Sequence, residues 1–136
     1  MSKRTILLAF CIVFAMGTVR ADDDLVRLAT ALCDYTKAND RSMLRKKLKD
    51  ANLSLRRIYG GLLCAKDDVY AGGTLLRTAV AHNAGDSMEF ILSQVGSSAT
   101  TTPEHDGRTI IDWTEEAAKA DPAKADLLSK LKAATD

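Results

Sequence analysis

Residues 72–92 read GGTLLRTAVAHNAGDSMEFIL, and this stretch decides the fold. Leu75, Leu76, Ala79 and Val80 recur at three- and four-residue spacing, and Met88, Phe90, Ile91 and Val95 give a second stripe of the same kind. That period predicts two short amphipathic helices. The polar run His82-Asn83-Ala84-Gly85-Asp86 separates them, with Gly85-Asp86 expected to make the turn. A pair of this size cannot bury both stripes alone, so the pattern should recur. It does downstream, where Asp106-Gly107-Arg108-Thr109-Ile110-Ile111-Asp112-Trp113 repeats the opening and the segment from Ala125 to Leu131 repeats the apolar ending. A weaker version lies upstream in Leu32-Cys33-Asp34-Tyr35, Asn39-Asp40, Leu44 and Leu48.

Thr74-Leu75-Leu76-Arg77-Thr78-Ala79 resembles the T-P-L-H-x-A opening of an ankyrin repeat, and Thr109 follows Thr74 by 35 residues against a family period of about 33. Leu75 and Ile110 stand where that family has proline, and Arg77 and Asp112 where it has histidine. The resemblance implies an all-α fold, a short ankyrin-like stack of helix–turn–helix units. Ankyrin-like stacks bind through their tips and the exposed face of their first helices. Here that implies Arg77, His82 and Asn83 in the central unit and Arg108, Asp112 and Glu116 in the last. A second resemblance rests on Leu32-Cys33-Asp34-Tyr35, Leu44-Arg45-Lys46-Lys47-Leu48, Leu55-Arg56-Arg57-Ile58-Tyr59, Cys64 and Leu75-Leu76-Arg77. These are similar to a family of small exported gammaproteobacterial proteins of unknown function, which implies no activity.

At 136 residues, 46% apolar and 27% charged, the chain is an ordinary globular protein of one domain at most. Its start differs from the rest. Lys3 and Arg4 precede an apolar run from Ile6 to Met16, and Val19-Arg20-Ala21 places small residues before Asp22, the pattern of a secretory signal peptide. The run is shorter than the about 20 residues of a comfortable membrane span. Residues 1–21 are therefore expected to be cleaved and 22–136 to form a single helical domain, periplasmic or secreted and not transmembrane. Cys33 and Cys64 would survive cleavage. Two cysteines in an oxidising compartment read as a disulfide before a metal site, tying the first helix to the loop ahead of the central unit.

Leu25, Leu28, Ala29, Leu32 and Cys33 predict an amphipathic helix that Asn39-Asp40 breaks. Asp40 or Ser42 can cap the next, which carries Leu44 and Leu48. Residues 52–64 predict a helical turn or two and a bend at Gly60-Gly61, and residues 65–73 a solvated loop. GSSATTTP, residues 96–103, lacks periodicity and reads as a surface loop. Asp121-Pro122 should start a last helix with Leu127, Leu128 and Leu131.

His82 and His105 are the only histidines, and neither has a partner pattern in sequence. No nucleophile elbow, metal-ligand spacing or phosphate loop with lysine is present, so neither an enzyme nor a cofactor is expected. Charge is more informative. Without Lys3, Arg4 and Arg20 the 19 basic residues become 16, against 18 acids, a net charge of −2. Arg41, Arg45, Lys46, Lys47, Lys49, Arg56 and Arg57 make residues 41–57 a basic segment with Asp50 as its one acid, whereas residues 103–136 are acidic on balance. The basic segment lacks the interleaved aromatics of single-strand nucleic-acid binders. The expectation is a binding module without catalytic activity that recognises another periplasmic protein. The alternative is an envelope factor whose basic helix contacts anionic lipid or polysaccharide.

Overall fold

The computed structural model describes residues 23–135, so the expected cleaved leader lies outside the described residues. Among the described residues there are seven α-helices and no β-strand. Helix α1 spans 23–37 and turns Leu32, Cys33 and Thr36 inward, with the Thr36 hydroxyl donating to Leu32 O at 2.7 Å. Asn39 then takes a left-handed conformation, φ 58°, which asparagine tolerates, and the chain reverses. Helix α2, Arg41–Asp50, is capped by Asp40, whose carboxylate accepts from Met43 N at 3.1 Å; it buries Leu44 and Leu48. Helix α3, Leu55–Ile58, runs into a 3₁₀ turn, Tyr59–Gly61, as the two glycines lead one to expect.

The loop over 62–73 is pinned at its base by reciprocal backbone hydrogen bonds between Cys64 and Gly73, 2.7 and 3.1 Å. Gly72 beside it has φ 99°, and a Cβ there would lie 2.8 Å from Cys64 O, so this position requires glycine. Cys33 and Cys64 are joined by the expected disulfide, with Cα atoms 5.7 Å apart. It ties α1 to the loop that leads into the central hairpin.

Helices α4, Leu75–Ala81, and α5, Gly85–Val95, form that hairpin; α6, Ile110–Ala120, and α7, Ala125–Thr135, form the next. Each hairpin opens on a threonine cap. Thr74 Oγ1 accepts from Arg77 N at 3.3 Å and Thr109 Oγ1 from Asp112 N at 3.1 Å. Helix α4 packs on α5 and α6, and α5 is also met by α2, α3 and α7. The two predicted stripes are buried, and full burial of a side chain such as Phe90 or Leu76 contributes about 1.5–3 kcal/mol.

Two local expectations change. Gly85-Asp86 is not the turn. Residues 82–84 are, with Asn83 at φ 54°, and Gly85 and Asp86 begin α5. Ala84 supplies no side-chain cap, but Asn39 does so from outside, accepting from Ser87 N at 3.0 Å. Residues 96–103 are also more than a surface loop. Ser97–Thr100 is a 3₁₀ turn packed on α6 and α7, and the buried Thr100 hydroxyl meets Ser97 O and Thr135 Oγ1, both at 2.7 Å.

Candidate binding face

Because Leu44 and Leu48 point inward, Arg41, Arg45 and Lys49 share an outer stripe of α2 at four-residue spacing. The stripe overhangs α5. The Arg41 and Arg45 guanidinium carbons lie 5.9 and 5.8 Å from the centroid of the buried Phe90 ring, within reach of its negative face. Below them a groove of about 680 Å³ runs between α2, the start of α3 and α5, bordered by Arg45, Lys49, Asn52 and Arg57 and floored by Leu48 and Phe90.

The structure divides the seven basic residues. Lys46 pairs with Asp50 at 2.8 Å on the exposed surface, and Lys47 is half-buried. Arg56 turns to the other side of α3 and donates from Nε to Val95 O at 3.3 Å, beside the end of α5. Arg41, Arg45, Lys49 and Arg57 remain exposed, with no carboxylate in ion-pair range among the described residues.

Arg77 corrects an expectation. The ankyrin-like register puts it on an exposed recognition surface, but its side chain is 3% exposed. Its Nε donates to Glu104 Oε1 at 2.6 Å, its two terminal nitrogens donate to Asp106 at 2.7 Å each, and one also reaches Arg108 O at 3.2 Å. Trp113 covers the guanidinium, with its ring centroid 5.4 Å away. The physical reason is the 104–108 loop, which folds over α4 and brings two carboxylates to a side chain that a lone amphipathic helix would leave in water. Tyr59 O–H and Thr74 O–H complete the set by donating to Glu104, whose side chain is 5% exposed. Burial opposes the charge on Arg77, but the bonds to Asp106 and Glu104 outweigh it and hold the group protonated. Burial, then the Glu104 charge, pushes the Tyr59 phenol well above its ordinary range. The bonds from Arg77, then from Arg108 N, hold Asp106 well below the usual carboxylate range. With its folded value depressed, Asp106 stabilises the protein above its unfolded pKa of about 3.9. That contribution is lost as pH falls through the folded value. This is a structural clamp rather than a free contact.

The other tip candidates lie apart from one another. His82 Nε2 is 2.9 Å from Asp67 Oδ2, an oxygen that also meets Lys37 Nζ at 2.9 Å. Lys37, then the amide of Tyr70, holds the Asp67 carboxyl well below its ordinary range. This three-residue link between α1, the 62–73 loop and the α4–α5 turn joins positions too distant in sequence to signal it. Asn83 is exposed, and its Oδ1 lies 3.4 Å from Lys124 Nζ. Arg108, Asp112 and Glu116 are exposed along the start of α6, with Arg108 donating to Asp112 O at 3.3 Å and Glu116 pairing with Lys119. Among the described residues no cluster of three or more metal-ligating side chains occurs, and no helix is long and apolar enough to cross a membrane.

Over residues 32–102 the chain matches the family described as Protein of unknown function (DUF3718), and it belongs to that family. No curated protein and no solved structure matches it. The matched segment runs from the end of α1 through the turn after α5. It holds both bridged cysteines, the whole basic face and Arg77, and it stops just short of Glu104 and Asp106.

Proposed function

We propose that this chain is an exported interaction module, with no reaction of its own, that docks on an anionic counterpart through the face built by α2 and α3. The observation that carries this is the set Arg41, Arg45, Lys49 and Arg57, exposed around an apolar-floored groove with no carboxylate partner among the described residues. Burying or pairing such charges within the fold would have satisfied them internally, as happens at Arg77. Left outward and close together, they attract an acidic surface and orient it on approach.

Several features support the finer parts of the reading. A disulfide suits an oxidising compartment, here the periplasm. The threonine-capped pairs α4–α5 and α6–α7, with first helix on first helix and second on second, support two ankyrin-like units. The family segment then acts as the end that carries the docking face. Arg77 is engaged with two carboxylates and His82 with Asp67.

Site-directed photocrosslinking in intact cells tests the reading. A probe replacing Gln94, which lines the groove, should give adducts that a probe replacing Glu116 on α6 does not. Reversing Arg45, Lys49 and Arg57 to glutamate should abolish the Gln94 adducts. Equal adducts from both positions, or adducts indifferent to the reversal, would remove the proposal.

A further inference from the structure

The basic groove continues into an apolar surface. Leu53 and Arg57 line it on one side, and on the other they line a second groove, about 420 Å³, formed with Leu25, Val26, Leu28 and Ile58 of α1 and α3. Leu25 and Val26 are 61% and 63% exposed. Leu63, just past the 3₁₀ turn that follows α3, is 53% exposed. Scattered exposed aliphatics are ordinary. Here two stand side by side on one helix, and the groove they line shares a wall with the unpaired cations.

Resting on the α2–α3 docking reading, we infer that the counterpart is the surface of an anionic phospholipid bilayer. Leu25 and Val26 enter the boundary between headgroups and acyl chains while Arg45, Lys49 and Arg57 hold lipid phosphates. Two features favour lipid over an acidic protein. The exposed apolar groups are protruding aliphatics, whereas protein interfaces centre on aromatic anchors seated in closed pockets. The aromatic at this site, Phe90, is itself buried beneath Arg41 and Arg45 and unavailable as an anchor. Cations beside shallow aliphatics are what a fluid, negatively charged interface requires, since no partner-specific cavity is needed there.

Co-sedimentation of the full chain with vesicles tests this, comparing phosphatidylglycerol mixed into phosphatidylcholine with phosphatidylcholine alone. A poly-glutamate resin is the protein-like control. Every variant keeps residues 1–22, so any effect of that segment is common to all. Wild type should bind the phosphatidylglycerol vesicles at least about tenfold more tightly than the neutral ones. Arg45→Glu with Lys49→Glu and Arg57→Glu should weaken that binding by about a hundredfold, from the usual contribution of each cation near an anionic membrane. Leu25→Asp with Val26→Asp should also weaken vesicle binding by at least about tenfold while leaving resin retention and the melting curve unchanged. If resin retention falls with the charge reversal but vesicles are not bound, the counterpart is an acidic protein; the lipid inference fails and the docking reading stands. Vesicle binding that ignores the Leu25/Val26 variant would overturn the inference as mere charge attraction. If charge reversal changes neither vesicle nor resin binding, both readings fall.

Discussion

Helices α4 and α6 begin alike. Each follows an extended threonine whose hydroxyl accepts from the amide three residues on, and each then presents two bulky aliphatics. At the third position α4 carries Arg77 and α6 carries Asp112, yet Arg77 is buried among two carboxylates, an indole and a phenol while Asp112 lies in solvent. Local sequence cannot account for this. Position in the stack does: α4 has α6 beside it and the 104–108 loop across it, whereas α6 has no further helix beyond it among the described residues. Equivalent places in a repeat therefore carry different energetic roles, and an inner unit can turn a recognition position into a clamp.

The comparison is tested hardest at Arg77. Replacing it with methionine keeps much of the packing but leaves Glu104 buried without its cation, which should destabilise by about 3–5 kcal/mol. Denaturant unfolding measures this. Adding Glu104→Gln to Arg77→Met should recover part of the loss, because the stranded charge is then removed. A loss below about 1 kcal/mol in the single variant would mean that the clamp is incidental and the two positions differ in burial alone.

The disulfide sharpens the contrast from the upstream side, since the bridged Cys64 pairs with Gly73 immediately before Thr74, whereas among the described residues no disulfide anchors the entry to α6. Cys33→Ser should cost about 2–4 kcal/mol; a loop closed across 31 residues contributes about 3.5 kcal/mol by chain-entropy reasoning. Hydrogen exchange should quicken first around the 62–73 loop and α4. Uniform acceleration that includes α6 and α7 would show that the bridge stabilises the whole domain rather than the entry to its inner unit.

Much of this architecture was legible in the residues. The stripes Leu75/Leu76/Ala79/Val80 and Met88/Ile91/Val95 carry the helical period directly, Asp40 stands where a cap belongs, and the two cysteines that follow a leader-like start, Cys33 and Cys64, invite one bridge. What could not be read depends on distant partners. Arg77 looks like any polar residue on a helix until Glu104 and Asp106 arrive from 27 and 29 positions away. Asn39 caps α5 from 48 residues upstream, and Thr100 is buried only because Thr135 and α7 come to meet it. The basic segment was visible as composition. Its division into Arg41, Arg45, Lys49 and Arg57 outward and Arg56 toward Val95 needed the placement of α5.

The smallest expected effect falls on Asp112, and it bears on both the fold and the docking face. Its carboxylate sits in the first turn of α6, where the helix dipole favours a negative charge by about 0.3–1 kcal/mol at low ionic strength. Asp112→Ala should therefore lower stability by no more than about 1 kcal/mol, an effect that shrinks with added salt. The Thr109 cap uses the Asp112 backbone amide, which alanine retains, so α6 should keep its start. Docking should be unaffected as well, because the attracting charges lie on α2 and α3 and removing an acid from α6 takes nothing from them. A melting curve at two salt concentrations and the Gln94 crosslinking yield together decide the point. A large stability loss would place Asp112 in a pairing like that of Arg77 and erase the contrast between the units; a lost crosslink with normal stability would move the docking surface to the stack tips.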